Sequence, residues 1–157
     1  MRIAFRKISD ETHVLEISDG EGRHEHVECE TRSYLVHDLL HFAVESEARL
    51  KAGFWGSLER GRTLAEMNDR RGGPMEVKLP EMAMIELLVG ALHGVAKGRT
   101  PKEMVDAVIG YSALLGSPVP KWLTEDFVAA IQERMRRLAG HWKATPYGGT
   151  MELDWPP

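Results

Sequence analysis

Cysteine is nearly missing from this 157-residue chain. Cys29 stands alone, so no internal disulfide can form and a cysteine-built zinc knuckle is excluded. That scarcity fits a reducing cytoplasm. Long apolar runs are missing too. The longest charge-free apolar run, Leu87 to Ala96, contains His93 and falls short of the ~20 residues a membrane-spanning helix needs. The opening residues, Met1 to Lys7, are punctuated by Arg2, Arg6 and Lys7 and lack the apolar core of a signal peptide. Together these features predict a cytoplasmic protein without a membrane partner. There is no surplus of positive charge: the net charge is −4, which argues against a dedicated nucleic-acid binder, because phosphate neutralisation needs spare Lys and Arg. The phosphate loop G-x-x-x-x-G-K-[ST], the dinucleotide fingerprint G-x-G-x-x-G and the nucleophile elbow G-x-S-x-G do not occur. Nor does a helix carry the Glu-x-x-His pairs of di-iron bundles.

What remains is long enough to bury roughly 70% of its unfolded surface without a disulfide or structural metal, so one domain over 1–157 is expected. Residues 1–30 read as a meander of three strands: Met1 to Ile8, His13 to Ser18 and Arg23 to Glu30. Asp10-Glu11 and Asp19-Gly20-Glu21-Gly22 supply the turns. Leu15 and Ile17 share one face of the second strand, and Val27 and Cys29 one face of the third. Residues 31–143 read as helices. The first is capped at Thr31 or Ser33, runs to about Lys51 and is stopped by Gly53. Gly53-Phe54-Trp55-Gly56 then opens a second to about Met67. A loop follows from Asn68 to Pro80 around Arg70-Arg71-Gly72-Gly73-Pro74. A third helix spans Glu81 to Lys97, and a fourth spans Lys102 to Leu115 behind Thr100-Pro101. After the break at Gly116-Ser117-Pro118-Val119-Pro120, a fifth runs from a Thr124 cap to about His141. The tail, 144–157, contains Thr150 to Trp155, which can join the sheet as a fourth strand. The expected fold is α+β: a small antiparallel sheet of three or four strands on a bundle of four or five helices.

The third helix is apolar nearly all round, through Met82, Met84, Ile85, Leu87, Leu88, Val89, Leu92 and Val95, which predicts burial. Gly90, Gly94 and Gly98 recur on it every four residues. Each interior glycine costs ~1 kcal/mol against alanine. A close helix crossing, internal or in a homodimer, is the simplest compensation.

Chemistry concentrates in His37-Asp38-Leu39-Leu40-His41-Phe42-Ala43-Val44-Glu45. At ~100° per residue, His37, His41 and Glu45 form one stripe, flanked by Tyr34 and Asp38, that faces away from the apolar side of the helix, toward either solvent or a cleft closed by another element. Two imidazoles four apart can hold one Zn²⁺. Glu45 lies ~12 Å along the axis from His37, too far to share a tetrahedral ion with both. A third ligand must come from elsewhere. Glu59, Glu66 and His141 are candidates, but Glu86 and His93 are preferred, as the few polar groups on the apolar helix. Glu45 would orient a ligand or act as base, and Asp38 is the other candidate base. The bland alternative is a solvated polar face with a His41–Glu45 contact worth a few tenths of a kcal/mol.

The block is similar to the His-Glu-x-x-His helix of zinc metalloproteases, with Asp38 in place of the glutamate and no metzincin third histidine. Over a longer span, His37-Asp38-x-x-His41-Phe42-x-Val44-Glu45 followed by Gly53-Phe54-Trp55-Gly56 resembles an uncharacterised bacterial protein family with a Pro-His-Asp-x-x-His-aromatic block. Val36 stands where that family has its proline. The resemblance implies a shared surface or site and carries no activity with it.

Three further groups merit attention. His24, His26, Glu28 and Glu30 share a strand face that would complete the histidine site if that face lay over the first helix; otherwise it is solvated. Phe54 and Trp55 form either a ligand platform or a core plug. Arg134, Arg136, Arg137 and Lys143, diluted by Glu125, Asp126 and Glu133, read as an exposed helix face. Two functions follow. One is a zinc-binding domain with metal-assisted hydrolase chemistry on an unknown small molecule or peptide. The other is a non-enzymatic module that self-associates through the glycine-lined helix or the Phe54-Trp55 patch.

Overall fold

A computed structural model describes residues 1–67, 80–93, 99–116 and 118–156, the side chains of 80–83 and 115 excepted. Four strands, β1 (Arg2–Lys7), β2 (Thr12–Ser18), β3 (His24–Glu30) and β4 (Thr150–Asp154), form one sheet in the order β3-β2-β1-β4, antiparallel throughout. The tail thus joins the sheet as the fourth strand, on the far side of β1. Register aligns Val27, Leu15, Phe5 and Met151 in one cross-strand row, with Ile17, Ile3 and Leu153 in the next. Period-two alternation puts these rows on one face, where they meet the helices. Glu25 belongs to this inner face, and His24 and His26 to the outer one.

A π-helical turn, Thr31–Leu35, leads into α1 (Val36–Ala48). The helix is stopped by Arg49 in the left-handed conformation (φ 54°), four residues before the glycine expected to end it. The chain reverses into α2 (Phe54–Glu59). The single helix expected through Met67 is split by a turn at Gly61 (φ 93°), after which comes α3 (Leu64–Met67). Three longer helices follow: α4 (Pro80–Leu92), α5 (Pro101–Leu115) and α6 (Glu125–Ala144). Thr100 caps α5 in a reciprocal box with Glu103, and Thr124 caps α6 through the Phe127 N–H.

Helix α1 is shared by two cores. Leu39 and Phe42 pack with the sheet, α2 and Trp155, while Leu40, Ala43 and Val44 pack with α4, α5 and α6. Every residue from Asp38 to Glu45 is therefore buried, polar ones included. Only one flank of α4 is so enclosed: Met84, Ile85, Leu88, Val89 and Leu92 face the core, while Leu87 and Ala91 are half-buried and Gly90 is exposed. The all-round burial expected of this helix does not occur over the described residues, because none of the described elements covers its outer side. A Cβ at Gly90 would meet nothing within 4 Å, so no close crossing occurs there. Gly94 and Gly98 lie outside the described residues, as do Val95 and the loop around Arg70-Arg71-Gly72-Gly73-Pro74. Among the described residues, no helix is long and apolar enough to cross a membrane.

Candidate metal centre

The polar stripe of α1 faces a cleft closed in large part by other elements, with His37 left half-buried at its edge. It is covered by the start of α2 on one side and by α4 on the other. The tight reversal after α1 returns the backbone of residues 53–56 across Glu45. Glu45 Oε1 accepts the Phe54 N–H at 2.8 Å, and Oε2 accepts those of Trp55 at 3.0 Å and Gly56 at 3.4 Å. A completely buried carboxylate thereby meets the unpaired N–H groups at a helix start, which offsets its desolvation. The flanking glycines are required by close approach. A Cβ at Gly53 would stand 2.1 Å from Glu45 Cδ, and one at Gly56 would stand 2.3 Å from the Lys51 carbonyl oxygen. Phe54 and Trp55 are core residues packed edge-on to each other, which removes them as an exposed patch.

Glu45 Oε1 also lies 3.0 Å from His41 Nδ1. Because that oxygen already accepts a backbone N–H, Nδ1 is assigned as the donor. The proton therefore sits on Nδ1, and the other nitrogen of a neutral ring, Nε2, carries the lone pair. His41 Nε2 is 3.2 Å from Glu86 Oε1 on α4, but the two groups are not aligned for a hydrogen bond, so Nε2 is buried without a hydrogen-bond partner. His37 repeats the arrangement more loosely. Its Nδ1 is 3.4 Å from Asp38 Oδ1, and its Nε2 is 3.7 Å from Glu86 Oε2. Each imidazole thus has a carboxylate behind it at Nδ1 and turns Nε2 toward one shared carboxylate. One ligand atom from each of His37, His41 and Glu86 lies within 4.8 Å of the others, a set that can hold a metal ion.

The electrostatics say that a positive charge belongs here. Burial alone would push the His41 pKa down, but the carboxylates of Glu45 and Glu86 override it and raise it to about 9. Hydrogen bonds to Asp38 and then Glu86 raise that of His37. Burial pushes Glu86 up, yet the two imidazoles outweigh it and hold its carboxyl well below the usual range. A proton or a metal cation between the rings and Glu86 answers the same excess of negative charge.

Set beside known proteins, the chain matches no family model, no curated protein and no solved structure. Function must be argued from this geometry.

Of the third-ligand candidates, Glu86 joins the two histidines. The His93 ring centroid is 6.5 Å from that of His37, and His93 falls outside the ligand set. Glu59 accepts the Trp155 indole N–H at 3.0 Å, Glu66 accepts the Thr63 N–H while its own N–H donates to Thr63 Oγ1 at the start of α3, and neither joins the set. The His24 and His26 rings lie on the outer sheet face, 6.3 Å apart, so they do not complete the centre; the neighbouring inner positions go to Glu25 and Val27. Glu25 instead caps α3 at the Leu64 N–H and pairs with Arg23, whose guanidinium reaches the carbonyls of Leu58 and Arg62.

One buried histidine gave no sequence signal. His13 is wholly enclosed, with ring contacts to Phe5 and Trp142 at 5.9 Å. Its Nδ1 is 3.2 Å from Thr31 Oγ1, and its Nε2 is unpartnered. Burial lowers its pKa against a weaker opposing pull from Asp38.

Proposed function

We propose that this protein binds one divalent cation, most simply Zn²⁺, through His37, His41 and Glu86, and uses it for metal-assisted hydrolysis. The observation that carries the reading is the buried Nε2 of His41. It lies beside a carboxylate without bonding to it, while Nδ1 is fixed from behind by Glu45. A carboxylate behind each ligand imidazole is how metal-binding histidines are oriented and made more basic. Two imidazoles and a carboxylate are a catalytic zinc set that leaves a coordination position for water, whose pKa the ion lowers toward ~7. In this reading Glu45, with both oxygens engaged, orients His41 and does not abstract a proton. Asp38 does the same for His37. The Gly-Phe-Trp-Gly segment belongs to the same device, since its backbone holds Glu45. That role supports reading the whole block as the signature of a bacterial family.

The test is elemental analysis of untagged protein dialysed against zinc, iron(II) and manganese. About one equivalent of one metal is expected, falling to background in the H37A/H41A variant and strongly reduced in E86Q. A folded wild-type protein that retains no metal would end this reading. Chelator-sensitive cleavage of simple esters, amides or phosphate esters would then place the chemistry.

A second reading, a self-associating module, is supported by the outer α4–α5 surface, where Tyr111, 52% exposed, lies beside Leu87, Gly90 and Ala91. Sizing chromatography at two concentrations tests it separately.

A further inference from the structure

A cavity of about 540 Å³ opens beside the centre, between the start of α1, the end of α4 and α6. That volume suits a small organic ligand. Its floor is apolar and buried: Leu40 and Leu92 are 2% exposed and Ile131 1%. Its rim is exposed, formed by His93 and by the basic Arg99 and Arg136, and among the described residues no acidic one lines it. Gln132, also in the lining, donates to the Arg99 carbonyl at 3.2 Å and pins that edge to α6. Arg99 has no ion-pair partner among the described residues, and Arg136 pairs with Glu133 one turn away on the exposed face of α6. None of the three ligands lines the cavity, but it lies near the centre. Val36 and Leu40 immediately precede the ligands His37 and His41 on α1, and His93 is the ring neighbour of His37.

We propose that this cavity binds a small amphiphilic carboxylate, its apolar chain against Leu40, Leu92 and Ile131 and its carboxylate at Arg99 and Arg136. The charge pattern selects the occupant. A neutral apolar ligand would gain nothing from a rim carrying two guanidiniums, and an inorganic anion would gain nothing from the floor. Guanidinium and carboxylate pair with matched geometry. Placed here, the ligand lies alongside the centre and names the substrate class for it, a step that rests on the metal reading above. The binding site itself does not.

The probe is sodium octanoate, titrated calorimetrically into full-length protein, with 1-octanol and octylamine as neutral and cationic counterparts. One saturable octanoate site is expected, at least about tenfold tighter than the site for either counterpart. R99A/R136A should lose about tenfold in octanoate affinity and leave octanol unchanged. A139W, which places a ring at an exposed wall and spares the buried floor, should abolish binding with the melting temperature retained. Equal binding of all three amphiphiles, no binding, or indifference to R99A/R136A overturns the proposal. The same titration on H37A/H41A separates the two ideas. Octanoate binding retained there supports the cavity site whatever the metal content, and the metal analysis alone decides the fate of the centre.

Discussion

His13 and His41 are equally enclosed, at 0% and 1% exposure, and each has an unpartnered Nε2. Their surroundings are opposite. His13 lies against Phe5 and Trp142 with a single hydroxyl at Nδ1, and burial drives it toward the neutral form. His41 lies between Glu45 and Glu86, which overcome the same burial and draw positive charge to it. Enclosure alone therefore does not make a site. The second carboxylate, delivered from α4, turns a buried histidine into a candidate ligand.

The sharpest way to break this contrast is by metal content. H41A should remove the bound ion entirely and H13A should leave it in place, read by elemental analysis of the two dialysed variants. Equal metal in both would erase the distinction. Next in size is E45A, which leaves a buried imidazole and three backbone N–H groups without their acceptor. The loss should be on the order of 3–5 kcal/mol in urea unfolding, the range for breaking a buried charged pair. G56A should cost about 1–3 kcal/mol, because its Cβ would be driven against the Lys51 carbonyl.

A smaller effect should appear with pH. The ordinary His13 value is 6.5, and its folded value is lower. Between the two, the unfolded chain holds more protons than the folded one, so stability rises with pH across that window and is lost as pH falls below 6.5. Urea midpoints between pH 7 and pH 5 should fall more steeply for wild type than for H13F. Parallel lines would show that His13 ionises freely in the fold. Smallest is T31V, which removes the one hydrogen bond of His13 at a cost of about 1 kcal/mol, measurable by the same unfolding series.

Much of the frame was legible because local rules wrote it. Alternation located the strands, Thr100 and Thr124 announced two helix starts, and the four-residue spacing of His37 and His41 put them on one stripe. Glu86 could be singled out because a carboxylate on an apolar helix needs a partner. Alternation also put His24 and His26 opposite Val27 and Cys29, so once those two were inward the histidines had to be outward. What periodicity could not convey was depth. The stripe of α1 could face solvent or a cleft closed by another element, because nothing local reveals that the chain after Arg49 doubles back over Glu45. The glycines at 53 and 56 read as punctuation, while their role is clearance for a carboxylate and a carbonyl. His13 was invisible for a similar reason: its enclosure depends on Trp142, which is close in space and far in sequence.

The sharing of α1 between two cores has a consequence for any ion held at its stripe. His37 and His41 ride on a helix packed on both sides, whereas Glu86 sits on a helix that, among the described residues, is packed along one flank only. Two donors are held from both sides and the third from one. For a cation held by all three, substitutions at the α4–α5 packing, remote from every ligand, would alter retention through Glu86 without touching the histidines.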